Sequence, residues 1–213
     1  MRIAIATRSR SDELYELASS FWPAEIPRHR VTGMNHWMDA AHYLHHILNI
    51  DADYVVNCDE DCFVFDWSTV NTVVQMMDVY QYGYVGMPDT NTNCKHRNNA
   101  AMVHNPFFTV YNRAMVQHTL LNVPGYATHV LLNTNPPGCA HHEPFNNFYA
   151  ALDPRLNHLE LSGRDHPDGI STELCYSETP FALHSWYSRE FEGEHNQRIM
   201  NLYHEARRRS SLP

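Results

Sequence analysis

The stretch that most restricts how this chain can fold is Tyr54-Val55-Val56-Asn57-Cys58-Asp59-Glu60-Asp61-Cys62-Phe63-Val64, an apolar run with three consecutive carboxylates set into it. Tyr, Val and Phe at this density read as a strand, expected to run from Tyr54 to Phe65. Like charges a few ångströms apart repel and raise one another's pKa, so packed carboxylates at a strand end are costly unless positive charge meets them there. A divalent cation supplies that charge most compactly. The Asp59-x-Asp61 spacing suits a hard ion, magnesium or manganese, that keeps positions free for phosphate oxygens. A solvated acidic turn is the plain alternative, and the rest of the chain has to decide between the two.

Strand and helix patterns alternate around this motif. Arg2 to Ala6 reads as a strand that breaks at Thr7-Arg8-Ser9-Arg10, and Ser11 with Asp12 caps a helix to about Ser20. Such a start places Arg8 and backbone amides at the carboxyl edge of a sheet, where nucleotides dock in open α/β folds. His29 to Gly33 reads as a short strand. His36 to Ile50 reads as a helix with Trp37, Ala40, Ala41, Leu44, Ile47 and Leu48 on one face. Further helices are expected at 68–80, 114–121, 145–152 and 194–208, and strands at 84–87, 105–113 and 181–186. Residues 88–99 and the polar stretch 162–177 read as loops and turns. This order predicts an α/β fold with a mainly parallel sheet flanked by helices.

Composition narrows the class. The 213 residues, 43% hydrophobic and 18% charged, suit one globular domain over 1–206, with 207–213 a basic tail or the start of a linker to further domains. A formal net charge of −9 argues against a general nucleic-acid binder. Five cysteines without a paired framework suggest neither a disulfide scaffold nor a structural zinc site, and a reducing, cytoplasmic setting is expected. No stretch has the length of a membrane span or the pattern of a secretory leader. With 16 histidines, any single one carries little weight; His42 and His46 stand at i, i+4, but without the acidic partner of a helical zinc motif.

Taken together, Asp59-Glu60-Asp61 at a strand end, the opening into Thr7-Arg8-Ser9, the segment Phe107-Phe108-Thr109-Val110-Tyr111-Asn112-Arg113 and His184 on a late strand resemble the GT-A class of nucleotide-sugar-dependent glycosyltransferases. A chlorovirus-encoded glycosyltransferase domain is the nearer likeness. The resemblance implies a Rossmann-like GT-A fold and a manganese or magnesium ion bridging the phosphates of a UDP-sugar donor. Asp61, less directly Asp59, and His184 would be its ligands, with Glu60 turned aside or touching ribose. It further implies Thr7 and Arg8 at the nucleotide, with Trp186 or Tyr187 as a stacking group, and Arg189 as a second positive contact. Glu143, ahead of a helix, is the candidate base that takes the proton of a glycan or glycoprotein acceptor hydroxyl. Asp168, with Asp153 and Asp165, is the alternative, and a retaining enzyme needs no such base.

Two other readings compete. A sugar nucleotidyltransferase shares the fold but normally carries a glycine-rich phosphate loop with a lysine, and Thr7-Arg8-Ser9-Arg10 has no glycine. A carbohydrate- or metal-binding module without turnover differs in that it hydrolyses no donor.

Overall fold

The computed structural model describes residues 1–36, 38–126 and 135–210. Its centre is a six-stranded sheet in the order β2-β1-β3-β6-β5-β7, formed by β1 (Ile3–Arg8), β2 (Arg28–Val31), β3 (Tyr54–Cys58), β5 (Tyr84–Pro88), β6 (His104–Asn112) and β7 (His158–Glu160). Strands β1, β2 and β3 pair in parallel, as do β5 and β7, while β6 runs antiparallel between β3 and β5. The mixed, mainly parallel sheet expected from the alternation is present. A second sheet, β4-β10-β9-β8, is wholly antiparallel and consists of β4 (Cys62–Val64), β8 (Ser162–Asp165), β9 (Thr172–Tyr176) and β10 (Thr179–His184).

Helices cover both faces of the central sheet. On one side Leu14 of α1 (Asp12–Ser19), Val70, Val73 and Val74 of α3 (Trp67–Tyr80), and Ile199 and Leu202 of α6 (Asn196–Arg209) share a core with Val56, Phe108 and the second sheet. On the other, Leu44 and Ile47 of α2 (Asp39–Ile47), Val116 of α4 (Arg113–Leu121) and Phe148 of α5 (Asn146–Leu152) pack with Val55, Tyr84 and Tyr111. The caps are those the sequence offers: Ser11 accepts from the Leu14 amide, Asp66 from Ser68 and Thr69, and Asn112 from Met115. Trp37, assigned by periodicity to the inward face of α2, lies outside the described residues, as do 211–213 of the expected tail. Arg207, Arg208 and Arg209 belong to α6, where Arg209 pairs with Glu173 and Glu205.

Three expectations change. The single strand 54–65 is two strands in two sheets, joined by the acidic turn: Cys58 is the last residue of β3 and Cys62 the first of β4. A run of carboxylates holds no inward-facing place in a ladder, so the chain leaves one sheet there and enters the other. The polar stretch 162–177 contains the β8–β9 hairpin, hidden from an apolar pattern because Ser162-Gly163-Arg164-Asp165 is an outer, half-exposed strand. Strand β10 stops at His184, since Trp186 and Tyr187 have φ of 57° and 59°, left-handed values that no strand accommodates.

Among the described residues no helix is long and apolar enough to cross a membrane.

The β8–β9 turn carries Asp168. Its side chain accepts from the amides of Ile170 and Ser171 at 2.9 and 2.7 Å and from the Ser171 hydroxyl at 2.6 Å. Although burial works against the charge, these bonds and His166 hold its carboxyl down to about 2. Because the folded value lies below the ordinary 3.8, the stabilisation is complete above about pH 4 and is lost as pH falls toward 2. Solvent screening at this exposed turn limits it to about 1 kcal/mol. Asp168→Asn keeps an acceptor for Ser171 and removes the titration. The stability gap between wild type and variant, read by urea unfolding, is expected to shrink between pH 5 and pH 2.5; a constant gap would refute this account.

Candidate metal centre

The turn Asp59-Glu60-Asp61 lies where the carboxyl ends of β1 and β3 meet the second sheet. The Asp59 amide donates to Phe107 O at 2.8 Å and the Cys62 amide to Asp59 O at 3.0 Å, which fixes the turn between β6 and β4. Strand β10 pairs with β4 so that His184 stands opposite Cys62, bringing a residue more than a hundred positions away beside Asp61. His184 Nε2 is 3.4 Å from Asp61 Oδ1, the Ser185 hydroxyl donates to Asp61 Oδ2 at 2.9 Å, and the Ser185 amide donates to the Asp61 carbonyl at 3.0 Å. The imidazole is stacked on Phe107 at 4.0 Å with the planes 2° apart, and Trp186 meets it edge-on at 4.3 Å. Phe107 and Trp186 thus set the ring's orientation.

Asp59, Asp61 and His184 each offer one ligand atom, all within 4.8 Å of one another. The electrostatics suit a cation. Burial and the neighbouring Asp61 push Asp59 up to about 7, against the pull of Arg8 and His184. Burial also works against the charge of Asp61, but His184 and the hydrogen bond from Ser185 outweigh it and hold that carboxyl below its usual range. His184 Nδ1 is buried and meets no hydrogen-bond partner among the described residues. Two buried carboxylates, one of which raises the other's pKa, with an imidazole beside them, fit a divalent ion with mixed oxygen and nitrogen ligands.

Around the acids stand three guanidinium groups. Arg8, Arg10 and Arg189, with Ser188, line one small cavity with the three carboxylates, about 30 Å³, the room of an ion. Burial and the proximity of Arg189 and Arg8 lower Arg10 from its ordinary value, a sign that like charges gather here. Arg8 Nη1 is buried and meets no hydrogen-bond partner among the described residues. Three guanidinium groups gathered on one rim suit a polyanion.

Glu60 has a separate task. Its Oε2 accepts from the amides of Arg10 and Ser11 at 2.9 and 3.1 Å, tying the β1–α1 loop to the acidic turn, and the side chain is buried. A carboxylate at these amides also complements the start of α1. Glu60→Ala leaves two amides unsatisfied and is expected to cost about 2–3 kcal/mol. A loss below about 0.5 kcal/mol in urea unfolding would show that the clamp is replaceable.

The remaining expected residues are dispersed. Thr7 is buried and its hydroxyl donates to Cys58 O at 2.7 Å, so any contact it makes with a ligand comes from its backbone. Trp186 donates from Nε1 to Thr172 Oγ1 at 2.9 Å and packs on His184 and Phe107, a support for the imidazole more than a free platform. Tyr187 is half exposed and stacks on His195 at 5.0 Å. Glu143 accepts from Arg97 Nη2 at 2.7 Å, and Arg97 lies 5.8 Å from the Trp186 ring, so Glu143 reaches the centre's neighbourhood through one arginine. Asp168 belongs to its turn, Asp165 accepts from the Lys95 amide at 3.4 Å, and Asp153 caps the end of α5.

Sequence reasoning missed Arg10, Ser185 and Arg198. Arg198 donates to the carbonyls of Ser185 and Trp186 at 2.6 and 3.0 Å and to Ser171 Oγ at 2.8 Å, holding the strained left-handed pair from α6. Only Arg10 had a signal, its place in the same basic loop as Arg8.

No protein-family model matches the sequence, and no curated protein matches it. Among solved structures the chain is similar to a glycosyltransferase involved in the glycosylation of the major capsid of PBCV-1, at 10% identity and TM-score 0.50, over 95% of this chain and 98% of that one. It is also similar to 2-C-methyl-D-erythritol 4-phosphate cytidylyltransferase from Thermus thermophilus, at 10% identity and TM-score 0.48, over 97% and 100% of the two chains. The first likeness is one of fold, a mixed α/β, Rossmann-like architecture with a mainly parallel central sheet flanked by helices.

Proposed function

We propose that this protein is a metal-dependent glycosyltransferase that moves a hexose or deoxyhexose from a UDP-sugar to a glycan hydroxyl. The observation that carries the reading is the convergence of Asp59 and Asp61, from the turn between β3 and β4, with His184 of β10 beside an arginine rim at the carboxyl edge of β1 and β3. In this reading the two aspartates and His184 hold manganese or magnesium, with the imidazole favouring manganese. Such an ion offsets the negative charge that grows on a departing nucleoside diphosphate without needing a proton. Arg8, Arg10 and Arg189 add fixed positive charge toward the same phosphates. In this reading Arg8, beside Tyr43 with 6.0 Å between its guanidinium carbon and the ring, meets the nucleotide.

For an inverting transfer, Glu143 is the candidate that takes the acceptor's proton. Arg97 fixes its orientation by binding one carboxylate oxygen, and in this reading the other meets the acceptor hydroxyl. The acceptor then lies on the Trp186 and Arg97 side of the centre.

The test is a panel of nucleotide sugars with and without manganese, followed by donor hydrolysis and thermal stabilisation. At least one UDP-sugar is expected to raise the thermal midpoint only when metal is present and to release UDP slowly without acceptor. Silence toward every donor would overturn the proposal, and pyrophosphate release from a nucleoside triphosphate with a sugar phosphate would replace it by nucleotidyl transfer.

A further inference from the structure

We propose that His104, His158 and Glu160 form a second metal site, of zinc type, that ties the edge strand β7 to the central sheet. Strands β6 and β7 flank β5, where His104 stands opposite Pro88, His158 opposite Tyr84 and Glu160 opposite Gly86. One ligand atom from each of the three lies within 4.8 Å of the others. His104 is fully buried, and neither of its ring nitrogens meets a hydrogen-bond partner among the described residues. A buried imidazole is normally satisfied; here the Gly86 backbone lies beside the ring without a well-formed hydrogen bond, and one ring nitrogen has a second imidazole and a carboxylate in reach, an arrangement that asks for a ligand.

The second histidine is prepared for the same task. His158 Nδ1 lies 3.4 Å from Leu156 O; when Nδ1–H donates there, Nε2 keeps its lone pair, the tautomer a metal requires. That Nε2 is 4.0 Å from Glu160 Oε1 and 3.9 Å from Asp153 Oδ1, which places a fourth ligand atom, a second oxygen, within reach. Two imidazoles with one or two carboxylate oxygens are a zinc donor set. The ligand edges of a tetrahedral zinc shell are about 3.4 Å, so closure from separations of at most 4.8 Å needs a contraction of up to about 1.4 Å, available to the partly exposed His158 and Glu160. The site is separate from the acidic centre: His104 packs with Tyr84 and Tyr149 on the α2, α4 and α5 side of the sheet. It is independent of the transferase reading. What it supplies is a cross-tie for a three-residue strand that pairs with β5 alone in its sheet.

The experiment strips the full chain with chelator and titrates it with Zn2+, then with Co2+ as a coloured probe. Zinc is expected to raise the thermal midpoint, and cobalt to give the intense visible bands of tetrahedral coordination. Glu160→Gln should weaken zinc binding at least tenfold and His104→Phe should abolish this site, both leaving manganese binding unchanged. Should His104→Phe fail to fold, the partly exposed His158→Gln takes its place. Zinc isotherms of Glu160→Gln and His158→Gln that superimpose on wild type, or a wild-type chain that binds no zinc, would overturn the site.

Discussion

Asp61→Asn is expected to leave the fold standing while lowering metal-dependent donor turnover by at least about a thousandfold, roughly 4 kcal/mol of transition-state stabilisation. The two halves of this expectation have different causes. Asparagine retains an oxygen to accept from the Ser185 hydroxyl, and the variant removes a like charge from beside Asp59, whose pKa then falls from about 7 toward the ordinary range. The lost attraction of His184 is thereby partly offset, and the apo chain should unfold within about 1 kcal/mol of wild type. A neutral carbonyl, by contrast, cannot stand in for an anionic ligand to a dication. Manganese titration followed by UDP release reads the first half, and urea unfolding of the metal-free chain the second. A variant that loses more than about 3 kcal/mol would make Asp61 a structural residue, and one that turns over within threefold of wild type would remove it from the centre. The contrast with Glu60→Ala matters: adjacent carboxylates should separate, one acting through stability and the other through metal.

The acidic turn was legible because its signal is local, whereas His184 was set beside it by the resemblance alone. Asp59-x-Asp61 is readable from spacing, and Phe181-Ala182-Leu183-His184 is readable as an apolar strand. What spacing could not supply was the pairing of β4 with β10, on which the centre depends: Cys62 faces His184 only because the chain changes sheets inside the acidic turn. The apolar pattern runs through Cys62-Phe63-Val64 without interruption, so a one-dimensional reading continues the strand. The carboxylates that mark the turn also read as a strand terminus, and the two descriptions differ only in where the chain goes next.

Glu60 was unassignable for a related reason. Its partners are backbone amides of Arg10 and Ser11, and amides have no residue identity for a motif to record. Arg198 was hidden by its helix, where Arg198 sits one position before the inward-facing Ile199 and reads as surface. Trp186 was placed on a strand because it follows an apolar run, yet its left-handed backbone turns the ring back onto His184. Local pattern predicted the elements; the residues that orient the centre are held by long-range contacts.

The largest stability effect is expected at Arg97, in a network the sequence showed only as an Asn- and Thr-rich loop. Arg97 grips fully buried Asp89 with two bonds of 2.7 Å, from Nε to Oδ1 and from Nη2 to Oδ2, and reaches Glu143 from the same Nη2. Asn105 and Asn99 donate to the remaining lone pairs of Asp89 at 2.9 and 3.3 Å. Burial disfavours the guanidinium charge, but Asp89 and Glu143 more than compensate and raise it above its ordinary value. Arg97→Met fills much of the same volume and strands the Asp89 charge in the core with two neutral donors. Breaking a buried pair in this way costs about 3–5 kcal/mol, on the order of 10 °C in thermal midpoint for a chain of this size. Because the penalty belongs to the orphaned charge, adding Asp89→Asn to Arg97→Met should recover most of it, and a double-mutant cycle measures that coupling. Additive losses, or a single-variant loss below about 1 kcal/mol, would mean that the pair does not hold the loop. The same variant releases Glu143 from its fixed orientation, so acceptor-dependent transfer should fall by more than donor hydrolysis does. Equal falls would instead place Glu143 outside the acceptor step.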